Sequence, residues 1–210
     1  MNDNKCLRKG IIKLFSILFI FVIFASNIFA AENVELYSKA AILVDNDSGK
    51  ILYGKNEKER VYPASTTKVL TAILTLEKLD LNSSVVVSKE AVNLPYGSSN
   101  AALKQGEVIS VKDLLYGLML KSGNDCANVL AEAVSGSIDS FVELMNNKLK
   151  ELGCNNSHFA NAHGYHEDDH YTTPIDMMKI LSYAIKNENF VKLISTSSYT
   201  IVKTNKKDKE

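Results

Sequence analysis

A serine and a lysine stand three positions apart where a helix is predicted to begin. The hexapeptide PASTTK at 63–68 supplies Ser65 and Lys68, and an apolar run follows at 69–74. Proline ahead of an apolar run predicts a helix that is buried on most of its faces. Residues i and i+3 share a helix face, so the Ser65 hydroxyl and the Lys68 amine are expected within direct or water-bridged hydrogen-bonding reach.

This pair is suited to nucleophilic catalysis. A serine hydroxyl is a weak nucleophile until a base takes its proton, and a lysine can be that base when partial burial lowers its pKa towards neutrality. The positive end of the helix dipole would also favour an oxyanion close to Ser65. The pattern Ser-x-x-Lys is short, however, and it also fits a serine at the start of a helix followed by a solvent-exposed lysine.

A second polar group interrupts another apolar helical region. Ser122-Gly123-Asn124 begins 57 positions after Ser65. Because glycine breaks the helical pattern, a brief polar gap between two helices is predicted. Such a gap can hold the Ser122 hydroxyl and the Asn124 amide at fixed positions inside the protein rather than on a mobile loop.

Helices and one hairpin are predicted to position these groups. Ser110 with Asp113 resembles a capping box, and Thr173 followed by Pro174 is typical of a helix start. The segment 190–201 is predicted to approach a strand. The other predicted elements are an antiparallel hairpin at 40–53, a helix from Ser65 to about 78–82, a helix at 110–120 that resumes at 126–134, and helices at 138–152 and 173–185.

Composition describes an ordinary globular chain. Its 210 residues are 46% apolar and 23% charged, which is enough for one domain or at most two small ones. The 24 basic residues are balanced by 24 acidic residues, so the charge gives no electrostatic argument for nucleic acid.

The first thirty residues have the pattern of a secretory signal peptide. A basic start is followed by an apolar run at 14–24 and by small residues near Ala30, after which cleavage is expected. An uncleaved membrane anchor at 11–31 is the alternative. Outside this segment the cysteines are Cys126 and Cys154, and their apolar helical context favours two free thiols over one disulfide.

Taken together, the motifs resemble those of the penicillin-recognising serine enzymes, and most closely the low-molecular-mass D-alanyl-D-alanine carboxypeptidases of the peptidase S11 family. The resemblance runs from about residue 36 to 200 and rests on five strings. They are PASTTK at 63–68, LKSGND at 120–125, FVELMN at 141–146, His163-Gly164, and YTT at 171–173. It implies an α+β fold, β-lactamase/transpeptidase-like, in which residues 31–210 form an antiparallel sheet with a helical subdomain.

The resemblance also implies residue roles. Ser65 would attack the carbonyl of the penultimate D-alanine of a peptidoglycan stem peptide, forming an acyl-enzyme that water hydrolyses. Lys68 would accept the serine proton, Ser122 would relay protons to the departing D-alanine, and Asn124 would bind the substrate backbone. Neither a metal nor an organic cofactor is implied. β-Lactam antibiotics would acylate the same serine, and the protein would act in the cell wall or on the outer face of the cytoplasmic membrane.

One family motif is missing. The Lys-Thr-Gly triplet that supplies a cation and the second oxyanion donor should follow the 160–200 region, and the nearest string is Lys203-Thr204-Asn205. We therefore expect a truncated or split product without the C-terminal strands, with an open sheet edge, weak folding or aggregation, and weak or no activity, because losing one oxyanion donor costs about a hundredfold or more.

Three competing interpretations remain. All four histidines lie among acidic residues, which suggests zinc, although their spacing matches no short zinc motif; they are His158, His163, His166 and His170. A class A β-lactamase-like hydrolase would need a glutamate for deacylation, and Glu151 is the available candidate. The chain could also be a noncatalytic penicillin- or peptidoglycan-binding remnant. Burial of Lys68 against Ser122 and Asn124 would favour catalysis, whereas a solvent-facing Lys68 would favour the remnant.

Overall fold

Short strands and amphipathic helices make up the regular structure of the protein, for which we use a computed structural model. It describes residues 35–201 and 203–208. The predicted signal peptide at 1–30 lies outside the described residues. Within 35–201 and 203–208, no helix is long and apolar enough to cross a membrane.

The predicted hairpin is confirmed. Strand β1 (Ala41–Val44) pairs antiparallel with strand β2 (Ile51–Lys55). Asp45 closes the turn, because its carbonyl oxygen accepts the Gly49 N–H at 2.8 Å and its side chain accepts the Ser48 N–H at 2.8 Å. Among the described residues, β1 has β2 as its one strand partner. Strand β1 and the segment 174–185 line an apolar groove of about 580 Å³.

Six helices surround one hydrophobic core in the described part of the chain. They are α1 (Lys68–Lys78), α2 (Val111–Leu120), α3 (Asn124–Ser135), α4 (Ile138–Glu151), α5 (Pro174–Ala184) and α6 (Glu188–Ile194). Helix α1 is the central one: it packs against each of the other five. Its residues 70–75 are completely buried or nearly so, as the apolar run predicted.

Side-chain caps mark the starts of α2 and α5, as predicted. The Ser110 side chain accepts the Asp113 N–H at the start of α2, and the Thr173 side chain accepts the Asp176 N–H at the start of α5. Each cap satisfies an N–H that the first helical turn cannot pair internally. Cys126 and Cys154 are buried free thiols, which confirms that prediction.

The prediction that the segment 190–201 approaches a strand is wrong. Helix α6 occupies Glu188–Ile194, because the Asn187 side chain caps the N–H groups of Asn189 and Phe190. Phe190 and Leu193 are then buried on the same helix face, a spacing of three that the sequence reasoning overlooked. The stretch 195–201 contains no strand in the structure.

A second small sheet consists of two three-residue strands. Strand β3 (Ser84–Val86) pairs antiparallel with strand β4 (Val108–Ser110), which was not predicted. A three-residue strand is too short to show a clear alternation of polar and apolar residues. The pairing brings the intervening loop at 87–107 against helix α3, next to the site described below.

Candidate active site

Ser65 lies in a tight turn immediately before helix α1, not within the α-helix itself. Residues 64–67, here called the Ser65 turn, form one 3₁₀ turn, and the Thr66 hydroxyl donates to the Pro63 carbonyl at 2.6 Å. A 3₁₀ turn has three residues per turn, so positions i and i+3 still align as the sequence predicted. Ala64 has φ +48°, a left-handed conformation that costs a non-glycine residue about 1 kcal/mol or more.

Lys68 is buried and points at Ser65. Its amine is 3.3 Å from Ser65 Oγ, and it donates to Asn124 Oδ1 at 2.8 Å and to the carbonyl oxygen of His163 at 2.7 Å. The whole residue is only 2% exposed. Burial lowers the pKa of Lys68 to about 8, although the nearby Asp125 charge raises it in part. A solvent-facing lysine, the observation that would have favoured a noncatalytic remnant, is therefore not found.

The predicted polar gap between two helices is present at 121–123. Helix α2 ends at Leu120 and α3 begins at Asn124, with the Gly123 N–H bound to the Gly117 carbonyl at 3.1 Å. Ser122 takes a left-handed conformation, φ +56°, that turns its hydroxyl towards the Ser65 turn. Ser122 Oγ donates to Ser65 Oγ at 2.9 Å. The structure thus brings together all four predicted site residues: Ser65, Lys68, Ser122 and Asn124.

Asp125, which follows the gap directly, anchors it to the loop at 101–103. The sequence reasoning did not predict this role of Asp125. Its buried carboxylate accepts the N–H groups of Ala101 at 2.9 Å and Leu103 at 3.0 Å. The Asn124 N–H in turn donates to the Ser99 carbonyl at 2.9 Å. An acidic residue in the first turn of α3 was a usable signal, because a carboxylate is favoured there and can pair with free N–H groups.

The loop 161–164 forms the opposite wall, and its contacts were also missed. The Asn161 side-chain oxygen accepts the N–H of Gly164 at 2.7 Å, while Thr71 of helix α1 donates to the Ala162 carbonyl at 2.6 Å. Gly164 has φ +86° and lies against the Ser65 turn so closely that a Cβ atom would stand 1.8 Å from the Ala64 oxygen. These contacts aim the His163 carbonyl at Lys68.

The histidines are engaged in other contacts. Both ring nitrogens of His170 are hydrogen-bonded: Nε2 lies 2.8 Å from Thr67 Oγ1, and Nδ1 accepts the Ala160 N–H at 3.0 Å. His163 Nδ1 accepts the Tyr165 N–H at 3.1 Å. Across residues 35–201 and 203–208, no group of three or more His, Cys, Asp or Glu side chains is arranged to hold a metal ion.

Two other sequence features considered for catalysis, Glu151 and the string at 203–205, lie outside the Ser65 site. Glu151 ends helix α4, is 65% exposed at its side chain and pairs with Lys148 at 3.1 Å, so it is not the buried base that a class A β-lactamase mechanism needs. The string at 203–205 contacts the loop before β4, where Thr204 donates to Glu107 and Asn205 accepts the Val108 N–H. It therefore takes no part in the Ser65 site.

The sequence profile of the D-alanyl-D-alanine carboxypeptidase family, peptidase S11, matches residues 27–209. The chain belongs to this family, which confirms the resemblance inferred from its motifs. DacF, a D-alanyl-D-alanine carboxypeptidase of Bacillus subtilis, is 39% identical over 176 residues, which cover 81% of this chain and 45% of DacF. The D-alanyl-D-alanine carboxypeptidase of Streptomyces sp. K15 is 36% identical over 167 residues, covering 75% of this chain and 57% of that protein.

Solved structures agree with this assignment. The Streptomyces K15 DD-transpeptidase superimposes with a TM-score of 0.77 at 34% identity, covering 81% of this chain and 68% of that one. DacD from Francisella tularensis gives 0.79 at 31% identity, covering 87% and 45%. The predicted α+β fold is thereby confirmed. The chain spans about half the length of the curated relatives DacF of Bacillus subtilis and DacC of Escherichia coli.

Proposed function

We propose that this chain carries the acylation site of a serine-type D-Ala-D-Ala carboxypeptidase, which removes the terminal D-alanine from peptidoglycan stem peptides. The observation that carries the proposal is the burial of Lys68 with its amine 3.3 Å from Ser65 Oγ. A buried lysine without a carboxylate partner has a lowered pKa, as a general base requires. Membership of the peptidase S11 family supports the choice of substrate.

The hydrogen bonds around Lys68 support its role as the base. A neutral amine has two hydrogens and one lone pair. Asn124 Oδ1 and the His163 carbonyl accept the two hydrogens, so the lone pair is left for the Ser65 hydroxyl. Ser122 already donates to Ser65 Oγ, which leaves the Ser65 proton free to point at Lys68. With a pKa of about 8, roughly a tenth of the lysine is neutral at pH 7.

Acyl transfer then follows in two steps. Ser65 Oγ bonds to the carbonyl carbon of the penultimate D-alanine while its proton passes to Lys68, and a backbone N–H at the start of the helix stabilises the oxyanion. Collapse breaks the C–N bond, and the departing amine takes the proton from Lys68 through Ser122. Water attacks the resulting ester, Ser65 regains its proton, and Asn124 holds the substrate backbone.

Partners and location follow from the same proposal. The substrate is a stem peptide ending in D-Ala-D-Ala, and β-lactam antibiotics are covalent inhibitors that acylate Ser65. The signal-peptide pattern of residues 1–30 supports an extracytoplasmic site of action, in the cell wall or on the outer face of the cytoplasmic membrane. The site residues named here require no metal or organic cofactor.

Intact-mass spectrometry after incubation with a labelled penicillin tests the proposal. We expect one adduct on the purified chain and none on Ser65→Ala, because the ester forms at Ser65 alone. Release of D-alanine from a D-Ala-D-Ala peptide is the second measurement, and we expect it to be slow. A folded, monodisperse sample without an adduct would overturn the proposal. An adduct without any D-alanine release would instead favour a penicillin-binding remnant.

A further inference from the structure

The Ser65 turn is held by a hydrogen bond that reaches it from far along the chain. Thr67, the last residue of the turn, is completely buried, and its hydroxyl lies 2.8 Å from Nε2 of His170. The two residues are 103 positions apart in sequence. Thr67 is also adjacent to Lys68, so this contact touches the segment that carries both the nucleophile and the base.

The surroundings of His170 fix which ring nitrogen carries the proton. Nδ1 accepts the backbone N–H of Ala160 at 3.0 Å, so it must be unprotonated. The proton of the neutral ring is therefore on Nε2, which donates to Thr67 Oγ1. Phe159 stacks parallel to the ring with centroids 4.9 Å apart, which fixes the plane of the imidazole. His170 is 1% exposed.

The Ser65 turn needs such a contact because its backbone is strained. Ala64 is a non-glycine residue at positive φ, and a strained residue persists only where surrounding contacts over-determine it. The Thr66 hydroxyl bond to Pro63 is local and moves with the turn. The bond from His170 instead ties the turn to the loop that also presents the His163 carbonyl to Lys68.

We propose that His170 is a positioning residue for the Ser65 nucleophile, acting through a hydrogen bond from its Nε2 to the Thr67 hydroxyl. The inference rests on the proposed acylation of Ser65 and goes beyond it, since His170 contacts neither Ser65 nor Lys68. Its function is to keep the Ser65 hydroxyl in line with the Lys68 amine, so its loss should slow the chemical step without weakening the initial binding of substrate.

The test uses isosteric substitutions in the full chain. Thr67→Val keeps the shape of the side chain but removes the hydroxyl, and Thr67→Ser keeps the hydroxyl. We expect Thr67→Val to lower the acylation rate constant for a labelled penicillin about five- to tenfold with an unchanged dissociation constant. Thr67→Ser should stay within about twofold of the wild type. Thr75→Val is the matched control, a buried threonine of helix α1 outside the site, and should acylate normally.

Variants of His170 complete the cycle. His170→Ala should be slow, and His170→Gln should recover most of that loss, because a glutamine amide can place a donor where Nε2 stood. Thr67→Val added to His170→Ala should cause little further loss, since the two residues act through one bond. Wild-type acylation by Thr67→Val, or losses that multiply in the double variant, would overturn the inference.

A second readout is independent of activity. Amide hydrogen exchange of the peptide covering 63–68 should be several-fold faster in Thr67→Val than in wild type or Thr75→Val. If the wild-type chain forms no adduct, the proposed function fails, and this exchange measurement alone decides the inference. Unchanged exchange at 63–68 would refute it.

Discussion

Lys68 Nζ and the carbonyl oxygen of His163 lie 2.7 Å apart, although 95 positions separate the two residues in sequence. A backbone carbonyl is neutral, so it accepts a hydrogen from the lysine without holding it in the charged state as a carboxylate would. The same is true of Asn124, the other acceptor. The site therefore orients Lys68 while leaving its pKa low.

Lys68→Arg should abolish acylation. Arginine keeps the positive charge but stays protonated at every pH used, so it cannot take the Ser65 proton, and we expect a loss of at least about a hundredfold. The rate of penicillin adduct formation measures the effect. Lys78→Arg, an exposed change at the other end of α1, is the control and should react like the wild type. A Lys68→Arg rate within tenfold of wild type would show that Lys68 is not the base.

The acylation rate should rise with pH and reach a plateau, with the midpoint of the rise near pH 8. The reason is that the neutral form of Lys68 is the active one and the pKa of Lys68 is about 8. Asn124→Asp places a carboxylate beside the amine and raises the pKa of Lys68, so the midpoint should move to higher pH. Ser122→Ala removes a donor to Ser65 without adding charge, so it should lower the plateau about tenfold or more and leave the midpoint unchanged. A midpoint that does not move in Asn124→Asp would contradict this assignment.

Stability should fall as the pH is lowered from about 6.5 towards 4. Burial lowers the pKa of both His163 and His170 from 6.5 to about 4, so the unfolded chain takes up protons in this range before the folded chain does. Their stabilising contribution is complete above pH 6.5 and is lost as the pH falls to about 4. A shift of the pKa from 6.5 to about 4 corresponds to a loss of at most about 3 kcal/mol for each histidine, measured by urea unfolding.

Two glutamine substitutions provide the comparison for this pH effect. His170→Gln should remove about half of the dependence, because glutamine does not titrate while His163 still does. His158→Gln, in the same loop but exposed at 43% of its side chain, is the comparison and should retain a steeper pH dependence than His170→Gln. If the two variants give the same slope, burial of His170 is not its source.

Gly117 of α2 lies close to the Cys126 sulfur of α3. A Cβ atom on Gly117 would stand 2.7 Å from Cys126 Sγ, so Gly117→Ala should destabilise the protein by about 1–3 kcal/mol. Cys126→Ala removes that sulfur. The double variant should therefore be less destabilised than the sum of the two single changes, as thermal or urea unfolding would show. Strict additivity would indicate that the helices move apart instead.

Local patterns predicted the parts of the site that depend on neighbours in sequence. The spacing of Ser65 and Lys68 indicated their alignment, and Gly123 indicated the gap that presents Ser122 and Asn124. These features follow from helical geometry and from glycine as a helix breaker. The caps at Ser110 and Thr173 were predictable for the same reason.

Long-range contacts were not predictable in this way. The bonds from Asp125 to the loop at 101–103, from Thr71 to Ala162 and from Lys68 to His163 join segments whose sequences carry no mutual signal. Strand β4 was missed because three residues show no measurable period, and α6 because its apolar pair, Phe190 and Leu193, was not tested against a helical spacing. Tertiary packing determined the three long-range bonds, whereas α6 follows from the local Asn187 cap and the spacing of Phe190 and Leu193.

The close approach of Gly164 to Ala64 has a consequence for the gene as well as for the protein. A Cβ atom at position 164 would overlap the backbone of the Ser65 turn, and φ is +86° there, so no other amino acid fits. Gly136 has a similar φ of +81° but open space around it, so asparagine is tolerable there. The test is a library in which each codon is replaced in turn by codons for all amino acids, and variants that bind penicillin are selected. The selected variants should all encode glycine at position 164, whereas those at position 136 should encode glycine or asparagine.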